Sequence, residues 1–282
     1  LRKNGLYTAV TLIGLTVGIA AALLIFRMVR YELSFNKNFS NYDRIVRVVS
    51  EVKTPEAGVE HTVCTPIPAM AAIRQSVAPF EAMSSIREFW GMLALPDPDG
   101  GNAPLKKFNN GDDGIAFFAE PEFDRIFGLE WLAGNSATAL AEPNSIVLTK
   151  RWADKFFPSV QDALGKTLLV DNQVSLVVRG VVADLPTRCD FPLTYLISWA
   201  TIETYPDLFF YDETWGSCSS NFQVYALLRN AGQAEAANAA LARVGETEYK
   251  SRTNKKNRTH RIQPLSELHY DERFGHSGKH TT

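Results

Sequence analysis

The sequence predicts an α+β fold carried on a single membrane-spanning helix. An uncharged apolar run stands near the N-terminus, a β-α-β pattern covers residues 44–90, and a second β-α-β pattern covers residues 221–265. Two such units drawn from the two ends of one domain suggest a ferredoxin-like split βαβ subdomain. The segment between them, residues 92–219, is then an insertion, and its short β-branched runs make it β-rich.

The apolar run, Leu6 to Phe26, reads LYTAVTLIGLTVGIAAALLIF and carries no charge. At about 1.5 Å per residue it is about 31 Å long, the thickness of a bilayer's hydrocarbon core. Arg2 and Lys3 precede it, Arg27 and Arg30 follow it, and Tyr7 and Tyr31 fall at interfacial depth. A cleaved signal peptide is the main rival, but its apolar region is normally only about 7–15 residues long. Cleavage within Ala20-Ala21-Ala22 would also leave apolar sequence beyond the cut. Basic residues balance across the two ends and do not set the orientation. Almost all foldable sequence follows the helix, so the domain is expected outside the cytoplasm. Gly14 and Gly18 form a GxxxG, with Ala21 and Ala22 one turn further on. Small residues at that spacing let a second helix approach closely, which favours a packed helix over a lone anchor.

Residues 27–43 should leave the bilayer as helix and end in a loop. RIVRVVSEV (44–52) alternates as a strand, PIPAMAAIRQSVA (66–78) is a helix with proline near its first turn, and FEAMSSIREFW (80–90) is the next strand. The second unit comprises NFQVYALLR (221–229), the Ala-rich helix GQAEAANAALARVGETEYK (232–250) and RTHRIQPL (258–265). Within the insertion, DPDGGN (97–102) and NNGDDG (109–114) are turn clusters. Strands are expected at 145–149, 166–171 and 174–184, and short helices at 120–127 and 150–157, the latter stopped by Pro158.

A 45% hydrophobic and 21% charged composition is that of a globular chain, not a disordered one. The net charge of −2 gives no reason to expect nucleic acid. Cys64, Cys189 and Cys218 are too few for a disulfide-built scaffold or a four-thiolate zinc site. Cys189 and Cys218 lie in polar, loop-like sequence and could pair in an oxidising compartment; unpaired thiols are the more ordinary reading.

No catalytic motif emerges. The stretch from Gly275 to Thr281 resembles a phosphate loop, but Arg273 stands where the first glycine belongs and His280 follows Lys279. His276 and His280 have the spacing of helical zinc ligands, yet Gly275 and Gly278 oppose a helix, so these two and His269 read as a solvated tail. Asp97 and Asp99 read as turn chemistry rather than a calcium loop. There is no Gly-x-Ser-x-Gly elbow. Catalytic residues, cofactors and metals are therefore not expected. The basic run 250–261 reads as a solvated loop, with contact to an anionic lipid headgroup or a partner as the other reading. Trp90, Trp131, Trp152, Trp199 and Trp215 read mostly as core, with a cargo surface as the alternative.

The helix running into GLTVGIAAALLIFRMVRYELSFNKNFSNYDRIVRV resembles the start of MacB/FtsX-like ABC transporter permease subunits. So do residues 119–158, LGKTLLV, VVRGVVADLP (177–186), the Trp215 to Leu228 segment and IQPLSELHY (262–270). Together they cover almost the whole chain in the family's order, most like the version with a MacB-like periplasmic core domain. Two departures stand out. The family often has Tyr-Asp where Phe35-Asn36 stand, and Asn-Ser-His where Thr187-Arg188-Cys189 stand. The resemblance implies a porter-like α/β subdomain (31–91 and 220–270), an inserted β-rich subdomain (92–219), and a stub with the helix (1–30). It also implies a tail (271–282) leading towards a second span beyond this sequence, while LRKNG resembles the end of a cytoplasmic amphipathic helix. The implied role is a non-catalytic permease subunit in a bacterial inner membrane, with its main domain in the periplasm. Implied partners are a cytoplasmic ABC ATPase, a second permease subunit, an extracytoplasmic partner such as a periplasmic adaptor, and membrane lipid. From a different class, a single-pass anchored binding or sensor ectodomain fits the same pattern, and an anchored hydrolase fits it least.

Overall fold

The computed structural model describes residues 5–275, apart from 55–57, 77–78, 98, 100, 102, 212, 216–217 and 251–256. The first helix, α1 (Gly5–Glu32), has no buried residue. Thr11 and Thr16 donate their hydroxyls back to the carbonyls of Tyr7 and Leu12 at 2.9 and 2.8 Å, which hides both polar groups within the helix. That is what a helix in hydrocarbon needs, where water cannot satisfy them. The helix continues past Phe26 to Glu32, about 9 Å beyond the apolar run at about 1.5 Å per residue.

The first unit follows as β1 (Ile45–Thr54), β2 (Gly58–Thr62), α2 (Ile67–Ser76) and β3 (Phe80–Phe89). The inserted segment holds β4 (Met92–Leu95), β5 (Lys106–Asn109), β6 (Ile115–Ala119), α3 (Glu122–Phe127), β7 (Trp131–Gly134) and β8 (Ser145–Thr149). It continues with α4 (Lys150–Phe156), α5 (Val160–Ala163), β9 (Thr167–Val170), β10 (Val174–Val182), β11 (Leu193–Ser198) and α6 (Trp199–Thr204). The second unit is β12 (Phe222–Leu228), α7 (Ala234–Lys250) and β13 (Asn257–Pro264).

The two units interleave in the order β13-β1-β12-β3, so each βαβ is split by a strand of the other. The pairs β1/β13, β1/β12 and β12/β3 are all antiparallel. The inserted strands do not make a sheet of their own. β6 pairs antiparallel with the end of β3, Ile86 to Phe89 against Ala119 to Ala116, and the row runs on through β11, β8, β10, β9, β4 and β5. The sheet is mixed, with β6/β11 and β8/β10 parallel.

Both faces of the central strands are covered, and the period-2 alternation of strand side chains decides which residue goes where. In β12, Phe222, Val224, Ala226 and Leu228 enter one core while Tyr225 and Leu227 enter the other. In β6, Ala116 and Phe118 face the first core and Phe117 faces the second. The first core packs under α2, α4 and α7 through Met70, Ile73, Trp152, Phe156, Leu241 and Val244. The second packs under α3 through Phe123, Ile126 and Phe127. Each core draws on both the flanking and the inserted segments, so the two parts share their hydrophobic interior. At the corner between β7 and β10 a glycine is required: Gly134 has φ 94°, and a Cβ there would collide with the Arg179 carbonyl oxygen.

The Cys189–Cys218 pairing that the sequence allows is not formed. Cys218 is bonded to Cys64, with a Cα–Cα distance of 5.6 Å, and Cys189 is free. The reason is tertiary. The loop before α2 brings Cys64 beneath the segment that precedes β12, whereas Cys189 sits at the opposite core beside Phe191. Of the tryptophans, Trp152 and Trp199 are buried, Trp131 and Trp215 are half-buried, and Trp90 is exposed. His276, His280 and half of the basic run 250–261 (residues 251–256) lie outside the described residues.

Candidate coupling site

The chain between α1 and β1 is docked on the domain rather than hanging as a tether. Phe39 is buried in the second core, its ring 5.1 Å from Phe127 and 6.0 Å from Phe191. Asn41 donates to the Ile126 carbonyl at 3.2 Å and accepts from Arg44 at 2.8 Å. Arg44 also reaches Glu81 at 2.8 Å and the Leu228 carbonyl at 3.1 Å. Apolar anchoring and charge-assisted hydrogen bonds thus fix the approach to β1.

Upstream of these contacts the helix end itself is held. His269, just after β13, places Nε2 2.9 Å from Oε2 of Glu32, the last residue of α1, and Nδ1 2.7 Å from Oδ1 of Asp190. Its ring stacks on Phe35 with centroids 3.8 Å apart. The other Asp190 oxygen accepts from Asn36 Nδ2 at 2.6 Å, and Asn36 Oδ1 accepts from the Asp190 backbone N–H at 2.9 Å. Asn36 adopts φ 61°, a left-handed conformation that asparagine tolerates better than most residues. Its backbone N–H donates to the Arg188 carbonyl at 3.0 Å, and Arg188 Nη1 donates to Ser34 Oγ at 3.0 Å.

Only an imidazolium can donate from both ring nitrogens at once, so two carboxylates on one ring favour the charged form. Burial alone lowers the His269 pKa, but the hydrogen bonds and charges of Asp190 and Glu32 outweigh it and raise the pKa above the ordinary histidine value. By contrast, burial and the nearby Arg258 charge push His260 down to about 3, so it is neutral between Ser50 and Tyr249. A second tether lies on β1. Buried Arg47 donates to Gln263 Oε1 at 2.6 Å and to the Gly275 carbonyl at 3.1 Å, fixing the far end of the described chain to the same strand.

His269 is therefore not part of a solvated tail, since its side chain is only 10% exposed. Glu32, Asp190 and Asn36 are not singled out as functional by the sequence. The available signal is indirect: the two departures at Phe35-Asn36 and Thr187-Arg188-Cys189 lie against each other here, joined by the Asn36–Arg188 backbone bond. Gly14 and Gly18 lie on the exposed helix, and a Cβ added at either would meet nothing within 4 Å. Among the described residues no group of three or more His, Cys, Asp or Glu side chains is arranged to hold a metal ion.

The junction also makes a sharp test. Asn36→Asp would set a carboxylate against Asp190 at hydrogen-bond distance, and two adjacent carboxylates cannot both ionise freely. We expect the variant to lose about 1–3 kcal/mol at pH 7 and to recover part of it as the pH falls towards 5, read by thermal unfolding at the two pH values.

The fold and this junction define an α+β domain bonded to the end of an N-terminal helix that is long and apolar enough to cross a membrane. The chain belongs to the family of the MacB-like periplasmic core domain, whose sequence profile matches residues 8–244. This is a family of ABC-transporter-type permeases, and membership fits an inner-membrane protein with a periplasmic domain. A solved domain of a protein from Porphyromonas gingivalis, described as a permease, is 20% identical, covers 81% of this chain and 92% of its own, and superposes with a TM-score of 0.63. The periplasmic region of MacB from Actinobacillus actinomycetemcomitans is 14% identical over 79% of this chain and 90% of its own, with a TM-score of 0.48. No curated protein matches the sequence.

Proposed function

We propose that the chain is a non-catalytic permease subunit that passes motion from a partner cytoplasmic ABC ATPase to its periplasmic domain. The observation that carries this reading is the Glu32–His269–Asp190 junction, which fastens the end of α1 to two separate parts of the domain. Where helix and domain are bonded directly, tilt of one moves the other without any chemistry in between. The Cys64–Cys218 disulfide supports the periplasmic placement, because such bonds persist in oxidising compartments. The open surface at Gly14 and Gly18 supports packing against another membrane helix, in this subunit or in a second permease subunit. We take residues 31–91 with 220–270 as the porter-like part and 92–219 as the inserted part. An adaptor or other extracytoplasmic partner would receive the motion as export or mechanotransmission.

Purification of the full-length subunit together with the ATPase encoded beside it tests the proposal. Co-purification is expected, with ATP hydrolysis that changes when the two are assembled in lipid. Absence of both would remove the transporter reading and leave the anchored sensor.

A further inference from the structure

A cleft of ≈ 260 Å³ lies between the end of β3 and the segment after α6, away from the α1 junction. Its floor is aromatic: Phe118 stands 5.5 Å from Phe89 and 4.8 Å from Phe209, centroid to centroid. Trp90, 52% exposed, and Phe210, 85% exposed, stand at the rim. Phe210 has φ 50°, an uncommon conformation for a bulky residue, and it keeps an apolar ring in water. Strain of this kind persists where the surroundings impose it and concentrates at ligand sites.

Two polar groups in the wall have bonding capacity left. Arg87 donates from Nη1 to the Phe209 carbonyl, and no carboxylate pairs with its guanidinium among the described residues. Asn221 Oδ1 is buried without a hydrogen-bond partner. The two carboxylates that also line the cleft keep their charge but bond to neutral donors and not to Arg87: Asp171 accepts from the Met92 N–H at 2.7 Å and Glu88 from Gln223 at 3.2 Å. The cleft therefore asks for an anion at Arg87, an N–H donor at Asn221 and an apolar group over the phenylalanines. At ≈ 260 Å³ it is smaller than the roughly 300–1,000 Å³ of sites for drug-sized ligands, so one residue fills it.

We propose that this cleft binds the C-terminal residue of an extracytoplasmic polypeptide that ends in a large apolar side chain. Such a residue brings the carboxylate, the N–H and the apolar group together in one unit. A fatty acid brings only two of the three. Arg87 holds the terminal carboxylate, Asn221 takes the backbone N–H, and the Trp90 and Phe210 rings close over the side chain. The inference stands apart from the coupling reading and would survive its failure.

The test is calorimetric titration of the full chain in lipid nanodiscs with acetyl-Gly-Gly-Phe as the free acid, as the C-terminal amide, and with dodecanoate. The free acid is expected to bind at least tenfold more tightly than the amide, and Arg87→Gln to abolish that preference. Phe210→Gly relieves the backbone, so it should melt no lower than the parent and bind the acid several-fold more weakly. If Arg87→Gln does not fold, the acid-to-amide ratio on the unaltered protein and the Phe210→Gly result decide. Equal binding of acid and amide overturns the proposal, and so does dodecanoate binding as tightly as the peptide acid.

Discussion

Cys218→Ser is expected to lower the unfolding free energy by about 2–4 kcal/mol. The bridge joins residues 154 apart in sequence, and chain-entropy arguments give about 5 kcal/mol for closing a loop of that length. Structure retained in the unfolded chain reduces the realised value, which places it within the usual range. The bond also fixes the segment before β12, whose Phe209, Tyr211 and Trp199 rings pack on the first core. Chemical unfolding with and without dithiothreitol checks this. The parent should lose stability in the reductant while Cys218→Ser should not respond. A parent indifferent to reductant would show that the bond carries no such load.

His269→Ala is expected to cost about 2–3 kcal/mol and to loosen the helix from the domain without unfolding the sheet. Most of the loss comes from the Asp190 side, where the carboxylate is 5% exposed and keeps, among the described residues, Asn36 as its side-chain partner. Glu32 is 41% exposed, so water screens its share and the cost there is small. A spin label at position 33, next to the junction, should gain mobility in the variant, and one at position 107 on β5 should not. The pH dependence has a definite sign. The folded pKa of His269 is raised, so its contribution is fully present below the ordinary value of about 6.5 and is lost as the pH rises through the folded value. The groups around the ring are Glu32 from α1, Asp190 from the segment before β11, and Tyr270 and Phe35 beside it. The stability gap between the parent and His269→Gln should therefore narrow from pH 6 to pH 9. A gap that widens with pH would contradict the charged-ring assignment.

Much of the fold is legible because its elements announce themselves locally. The apolar run gives α1 by length, the alternation in 44–52 gives β1, and the Ala-rich 232–250 gives α7. The split βαβ follows from two matching units at the two ends. What the sequence does not reveal is which strands lie side by side across long separations. Nothing local in Ile115–Ala119 says that β6 will extend the sheet at β3, so the insertion reads as a separate unit. The disulfide escapes for the same reason, since the Cys64–Cys218 contact depends on tertiary placement alone. The junction is harder still. Glu32, Asn36, Asp190 and His269 are ordinary surface residue types, and only their convergence from three distant segments makes them a site.

The unbroken strand row has a mechanical consequence. Eleven strands of the described chain lie along it, and β1, which follows α1 through the docked segment 33–44, is second from one end while β5 closes the other. At about 4.8 Å per strand, the row spans about 48 Å. The central strands carry a core on each face, so on the proposed coupling the row would turn with its root at β1. A helix tilt of about 10° would then sweep the far edge through about 8 Å, a displacement larger than the spacing between two strands. On the proposed coupling, the domain would work as a lever rooted at β1, with its working tip at β4 and β5.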